Sequence, residues 1–401
     1  MICNTNNALS TNPQHLLLLL LSLFIDIYKK GDDIMLFTTT KNSLVNAVNT
    51  VQKAVSNKTT LPILEGILFE AVDDEIYLMG TDMEIGIKTK LPGDVIREGK
   101  VVLSAKLISE LSRKLPDDEV KVDLRENNKT IISCKNSEFN IQGEPGEDFP
   151  KMPEIIGEKN ALIPKELFRS LIKETIFSVA KSDNIPILTG ELLEISEGEF
   201  KIVALDGYRL ALRKAKTEPG IDIKEVIPER TMMEIYRLLS IKDDDVYLSA
   251  TKNQVLFTIG ETSMVSNLLQ GEYINYKQII PSNSTTKINI KTDELLSSCE
   301  RAALMVRDGK NNLIKMNFSD NVLEIQSNSD LGNLHENIDV EMEGDSLKIA
   351  FNCNYFIDAL KAVSEEEISL EFTTSVSPCV IRPVDGDYFT YLILPVRYIE
   401  H

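Results

Sequence analysis

The chain has 401 residues, 43% of them apolar and 26% charged, with a net charge of −19; this is ordinary globular material, enough for two to four domains, and the charge balance points away from a basic nucleic-acid tail. Only His15, His335 and His401 are histidines, which leaves almost nothing for His-based catalysis. The five cysteines are widely spaced with no CxxC pair, which argues against a zinc site or a disulfide framework and for buried free thiols in a reducing cytosol.

Residues 1–34 hold an apolar run from Leu16 to Ile27, broken by Ser22 and Asp26. It is too short to span a bilayer, and no Lys or Arg precedes it as in a secretory signal. Lys29-Lys30-Gly31 can be encoded by a purine-rich stretch like a bacterial ribosome-binding site, a short spacer ahead of Met35. The expectation is that Met35 is the true start and that 1–34 is a translated, disordered leader, which the intact mass of the native protein checks.

From Met35 the chain reads as one unit copied three times. An amphipathic helix opens each copy: Leu44, Val48, Val51 and Val55 make one helical stripe, repeated by Phe168, Ile172, Thr175 and Val179 and by Leu295, Cys299, Ala302 and Val306. Period-two segments follow: EIYLMGTDMEIGIKTK, EFKIVALDGYRLALRKA and NVLEIQSNSDLGNLHENI each read as strand, tight turn, strand. Asp82, Asp206 and Asp330 lie at those turns, 124 residues apart.

Leu103, Ile227 and Phe351 keep the same interval and precede Ser104, Pro228 and Asn352, residues suited to opening a helix. The second helices are AKLISELSRKL, ERTMMEIYRLL and CNYFIDALKAV, each followed by another strand pair. Pro-bearing linkers, DFPKMPEIIGEKN and YKQIIPSNSTTK, separate the copies. The expected class is α+β, three domains of two helices on an antiparallel sheet, over 35–155, 161–281 and 286–401.

Charge is distributed unevenly over this pattern. Segment 41–58 carries +3, 104–115 and 165–181 carry +2 each, 229–242 carries +1, and 291–310 and 353–363 are neutral, within a chain of −19. If these helices share a face, that face is mildly positive and suits weak, sequence-blind contact with a phosphate backbone. No aromatic run offers base stacking.

Reaction chemistry finds no footing. GDVIREGK at 93–100 is one residue too long for a phosphate loop, and Val101 stands where Ser or Thr would hold magnesium, so it reads as a turn. Asp82 with Glu84 is not repeated in the third copy, and Asp243-Asp244-Asp245 reads as a solvated turn. No Ser/His/Asp set can be assembled. No cofactor or metal is expected, nor a membrane role.

TLPILEGILFE, TDMEIGIK, GEDFP, ALDGYRLA and the ending TTSVSPCVIRP…YLILPVR resemble the bacterial sliding clamp family, the beta subunit of DNA polymerase III, from Met35 to about Tyr398. The resemblance implies the DNA clamp fold and a head-to-tail homodimeric ring around duplex DNA. It implies no catalysis and a cytoplasmic place at replication forks. The implied partners are double-stranded DNA read without sequence, the polymerase III alpha subunit, an ATP-driven clamp loader and other proteins carrying a clamp-binding motif.

By position, the implied DNA-facing residues are Lys58, Lys181, Ser182, Arg307 and Lys310 on loops, with Lys53, Arg113, Arg169, Lys173, Arg230 and Arg237 on helices. The implied pocket for short hydrophobic tails takes Leu188, Leu205, Gly207, Tyr208, Arg209, Leu210, Pro281, Ser375, Val376, Ser377, Leu394, Pro395, Val396 and Arg397. The implied subunit joint sets Phe139 and Ile141 against Leu304 and Met305. Pro378, Leu394 and Val396 depart from the family's commoner residues and bear on peptide preference. The alternative reading is a non-enzymatic repeat scaffold that does not encircle DNA; a metal-dependent nuclease or polymerase stands third.

Overall fold

The structure is a computed structural model that describes residues 33–56, 59–153, 155, 159–182, 184–218, 220–306, 312–329 and 332–397. The proposed leader, apart from Asp33 and Ile34, lies outside them, as do Lys58, Arg307, Lys310, Asp330 and His401. The chain divides into two compact units, 1–151 and 152–401.

In the first unit, helix α1 (Lys41–Val51) packs on helix α2 (Ala105–Lys114). Thr40 starts α1 by accepting the Ser43 amide hydrogen at 3.2 Å. The stripe residues Leu44, Val48 and Val51 are fully buried, as expected; Val55 falls beyond the helix and is half-buried. One antiparallel sheet runs in the order Gly93–Arg97, Asp33–Thr40, Glu119–Arg125, Lys129–Cys134, Ser137–Gln142. A second run is Glu144–Pro145, Gly99–Ser104, Gly66–Val72, Glu75–Thr81, Ile85–Lys90.

One expectation is corrected here. The segment read as a turn at 93–100 contains a strand, because Gly93–Arg97 pairs with the first strand of the unit. That first strand begins at Asp33, two residues before Met35.

The second unit repeats the pattern twice. Helix α3 (Lys165–Lys173) packs on α4 (Glu229–Leu239), and α5 (Thr292–Val306) on α6 (Cys353–Ala362). Asp243 and Asp245, expected to be merely solvated, fix the start of α3: Lys165 donates its amide hydrogen to Asp245 at 2.9 Å and its ammonium to Asp243 at 2.8 Å. Of the expected helix openers, Asn352 accepts the Asn354 amide hydrogen at 3.0 Å; Ser104 makes no side-chain cap bond, and Pro228 takes the cap position itself.

The unit's largest sheet runs Ile223–Pro228, Gly190–Ser196, Glu199–Leu205, Arg209–Lys216, Phe389–Ile393, Cys379–Pro383, Glu367–Phe372, Thr286–Lys291, Glu341–Gly344. Its centre joins the middle repeat to the last, since Arg209–Lys216 pairs antiparallel with Phe389–Ile393. A smaller sheet runs Gly332–Asp339, Val322–Ser329, Leu313–Ser319, Leu347–Asn352. Lys159–Ile163, Val246–Ala250, Gln254–Ile259 and Thr262–Asn267 pair in that order.

The copies share turn chemistry as well as spacing. Asp73-Asp74, Glu197-Gly198 and Asp320-Asn321 each link two strands with both residues at positive φ, the backbone that a two-residue hairpin of right-handed twist requires. Cys134, Cys299, Cys353 and Cys379 are buried free thiols, as expected; Cys3 lies outside the described residues.

Candidate functional site

Asp206 shapes the hairpin that carries the candidate pocket. Its carboxylate Oδ1 accepts the amide hydrogens of Tyr208 at 2.9 Å and Arg209 at 3.0 Å, and Gly207 between them takes φ +90°. Asp82 does the same for Glu84 and Ile85, both at 3.0 Å. The recurrent aspartate thus caps a turn with a local side-chain-to-backbone bond, and the Asp82/Glu84 pair is turn structure instead of a metal site.

The strands leaving this turn gather an apolar cluster. Leu205 and Leu210 face each other across the hairpin, and Leu210 also pairs with Leu392. Leu188 joins them from the turn Pro186–Thr189, and half-buried Leu394 packs on the same cluster with Ile187, Tyr273 and Ile280. Leu394 is pinned by donating its amide hydrogen to the Tyr208 carbonyl at 2.8 Å, and Val396 by donating to the Ala350 carbonyl at 2.8 Å. The structure therefore brings Leu188, Leu205, Leu210 and Leu394 onto one floor.

Other expected pocket residues form a rim. Tyr208 is 61% exposed and Val376 68%. Pro281, Ser377, Pro395 and Val396 are half-buried, and Ser375 and Arg397 are exposed. Ser375–Ser377 sit in a turn closed by a 2.7 Å hydroxyl contact between Thr374 and Ser377, next to the strand that pairs Cys379 with Ile393.

Arg209 holds the rim together. Its guanidinium donates to Asp206 at 3.0 Å and to Asp358 of α6 at 2.6 Å, and lies 5.6 Å from the Phe177 ring centroid and 4.8 Å from that of Tyr355. Tyr355 in turn stacks on Tyr208 at 6.1 Å, and burial pushes its hydroxyl pKa up, with Asp206 nearby adding to the rise. Phe177, Tyr355 and Asp358 were not legible as site residues. Their only sequence signal is membership of the helical repeats, which says nothing about who meets Arg209.

A second ionic tie lies along the same strand. Arg213 donates to Glu174 at 2.6 Å and to the carbonyls of Lys214 and Tyr388 at 2.7 and 2.9 Å. Burial pushes Glu174 up in pKa against the lowering pull of Arg213. The joint between middle and last repeat is thus fastened by two arginines four residues apart.

The candidate nucleic-acid residues are more engaged than their charges implied. Lys181 is ion-paired with Glu229, and Arg237 with Glu234 one helical turn away. Arg169 reaches Ser240 at 3.3 Å and Glu166 at 3.7 Å. Arg113 folds onto its own helix, donating to the Ser109 carbonyl at 2.9 Å and hydroxyl at 2.7 Å. Lys173, Ser182 and Arg230 are exposed. Lys53 and Arg113 line a cleft of about 710 Å³ with Lys106, Glu65 and Glu110. Such exposed pairs are weak and can be exchanged for phosphate at small cost.

Phe139 is 40% exposed on Ser137–Gln142, an edge strand of its sheet among the described residues, while Ile141 is buried. Leu304, 54% exposed, and half-buried Met305 lie on α5, which packs against the edge strand Gly332–Asp339. Among the described residues no group of three or more His, Cys, Asp or Glu could hold a metal ion, and no helix is long and apolar enough to cross a membrane.

Comparison with known proteins covers the whole described body. Residues 35–153, 162–275 and 277–397 match the N-terminal, central and C-terminal domains of the DNA polymerase III beta subunit. A beta sliding clamp of Staphylococcus epidermidis is 35% identical over 374 residues, 90% of this chain and 99% of that protein. The crystal structure of the Bacillus subtilis DNA polymerase sliding clamp superposes with a TM-score of 0.89 at 36% identity, covering 91% of this chain and all of the other. A Pseudomonas aeruginosa sliding clamp bound to griselimycin gives 0.86 at 26% identity, with the same coverage.

Proposed function

The chain belongs to the DNA polymerase III beta subunit family and is a sliding clamp, a non-catalytic subunit of the replicative polymerase; we propose that two copies close head to tail around duplex DNA in the cytoplasm. Three modules over 35–155, 161–281 and 286–401 supply the ring, and their weakly cationic helices face the phosphates. The ring holds DNA by enclosure, so each contact can be weak and movement along the duplex stays easy. A polymerase bound to the ring is kept at high effective concentration near the template, which raises processivity.

The pocket on Leu188, Leu205, Leu210 and Leu394, rimmed by Tyr208 and Val376, takes short hydrophobic tails of the polymerase alpha subunit, the clamp loader and other partners. The observation that carries this reading is that one apolar floor is assembled from two repeats and left under an exposed aromatic rim. The clamp's loading requires a separate ATP-driven opener.

Retention on nicked circular DNA tests encirclement. The loaded chain should stay on the circle through a high-salt wash and be lost when the circle is cut. Equal loss from circle and linear DNA would favour a scaffold that does not enclose DNA.

A further inference from the structure

Glu191 breaks the rule by which the three repeats build their cores. The second position of each equivalent strand is Ile67 in Gly66–Val72, Glu191 in Gly190–Ser196 and Ile314 in Leu313–Ser319, and all three side chains are fully buried. The helical stripe shows a matching change: Val51 and Ala302 in the outer copies, Thr175 in the middle one, again all buried. A polar pair has replaced an apolar pair at one place in one repeat.

The hydrogen count decides the state of that pair. Thr175 Oγ1 lies 2.7 Å from the Leu171 carbonyl and 2.5 Å from Glu191 Oε1. A hydroxyl has a single hydrogen to donate. A carbonyl can only accept, so that hydrogen serves Leu171, and the close contact with Glu191 needs a hydrogen from the carboxyl. Among the described residues Glu191 Oε2 has no hydrogen-bond partner and no Lys or Arg is ion-paired to the group. The titratable groups that face it are Glu229, which opens α4 and is paired to Lys181, and Tyr273; neither brings a positive charge. An ionised carboxylate here would be buried, half-bonded and uncompensated.

We propose that Glu191 is a proton-held latch: in the closed second module its carboxyl keeps a proton and donates it to Thr175, and release of that proton to water favours opening of the layer between α3 and the strand Gly190–Ser196. Burial, with Glu229 adding to it, pushes the group up to about 8, against the downward pull that a hydrogen donated by Thr175 to the ionised form would exert. The closed form therefore holds a proton that the open form gives up near the ordinary value of 4.5. Closure is favoured fully below that value and is weakened as pH rises, about tenfold per pH unit, until it levels off above about 8 where the closed form has also ionised. The strand follows directly on the turn Pro186–Thr189, and a side chain at Gly190 would meet the Ile227 carbonyl at 2.4 Å, so there is no slack between the latch and that turn.

Amide hydrogen exchange on the full chain, from about pH 5 to about pH 10, tests the latch by comparing wild type with Glu191→Gln in segments 165–178 and 190–196. The expected result is a protection ratio of wild type to variant that falls with pH up to about 8 and is flat above. A protonated-carboxyl infrared band at neutral pH, lost in the variant, should accompany it. A pH-independent ratio, or no such band, overturns the proposal. If the glutamine variant does not fold, Thr175→Val with Glu191→Ile restores the pair used in the first repeat; it should fold and show the same flattening, and a slope unchanged from wild type overturns the proposal equally.

Discussion

Arg209 of the middle repeat lies 2.6 Å from Asp358 on α6 of the last repeat, while its Nε donates to Asp206 in its own hairpin at 3.0 Å. One planar guanidinium thus fixes the hairpin tip, the helix and two aromatic rings at once. Arg209→Ala should lower stability by about 1–3 kcal/mol and weaken capture of a hydrophobic tail peptide. Arg209→Lys should not restore capture, because an ammonium cannot bridge two carboxylates in one plane while stacking on Tyr355. Thermal melts and fluorescence anisotropy with a labelled tail peptide read the two effects separately.

Gly207 and Met83 occupy the same place in successive copies of the turn, at φ +90° and +76°. A Cβ at Gly207 would meet nothing within 4 Å, so the cost of a side chain there is backbone strain alone. Gly207→Ala should destabilise by about 1 kcal/mol, and Met83→Gly should stabilise by up to about the same amount, since Met83 already bears that strain with its side chain 57% exposed. Urea midpoints of the two variants should move in opposite directions.

Arg213 and Glu174, both of the middle repeat, form a buried ion pair beside the repeat joint, with side chains 16% and 8% exposed, and Arg213 crosses the joint by donating to the Tyr388 carbonyl at 2.9 Å. Arg213→Ala strands a buried carboxylate and should cost about 3–5 kcal/mol. Converting both partners, Arg213→Met with Glu174→Gln, should recover much of that loss, because no uncompensated charge remains. A double-mutant cycle on unfolding free energy checks it; equal losses in the single and double variants would mean that the arginine acts through its packing on Tyr388.

The fold was legible where a physical requirement recurs at a fixed interval. Stripes such as Leu44, Val48 and Val51 must be buried in every copy, and Asp82 and Asp206 must cap equivalent backbone hydrogens, so both leave a periodic trace. The strand Gly93–Arg97 was missed because two glycines and an aspartate read as a loop, and its partner strand is more than fifty residues away. The site was legible only through family resemblance. Residues that meet across the repeat joint, Arg209 with Tyr355 and Asp358, come from different copies and follow no period. The helix charges were legible as a sum, but the sum did not reveal that Lys181, Arg169 and Arg237 already face acids.

Glu324 carries the clearest acid-side signal. Its carboxylate accepts from Asn317 at 3.0 Å, Gln326 at 2.7 Å and His335 at 2.6 Å, which holds its pKa down to about 2 against an ordinary 4.5. A depressed folded value means that stability present above about 4.5 is lost as pH falls toward 2. Glu324→Gln should therefore show a shallower loss of stability in acid, with a constant offset from wild type above about pH 5. Parallel curves throughout would mean that the three donors bind the acid form equally well.

Phe139 and Leu304 are apolar side chains left 40% and 54% exposed on the two surfaces proposed to meet between copies. Both flank strand edges left unpaired among the described residues, Ser137–Gln142 and Gly332–Asp339, which a partner's edge would cover. Each closed ring has two such joints, so a single substitution acts twice. Burial of one such side chain is worth about 1.5–3 kcal/mol, so Phe139→Lys or Leu304→Glu should weaken dimerisation by roughly a hundredfold or more. Placing both in one chain sets opposite charges across each joint and should recover part of the loss, which a misfolded variant could not do. Sedimentation velocity at micromolar concentration reads the outcome: dimeric single variants would show that these surfaces do not form the joint, and a monomeric wild type would remove the ring itself.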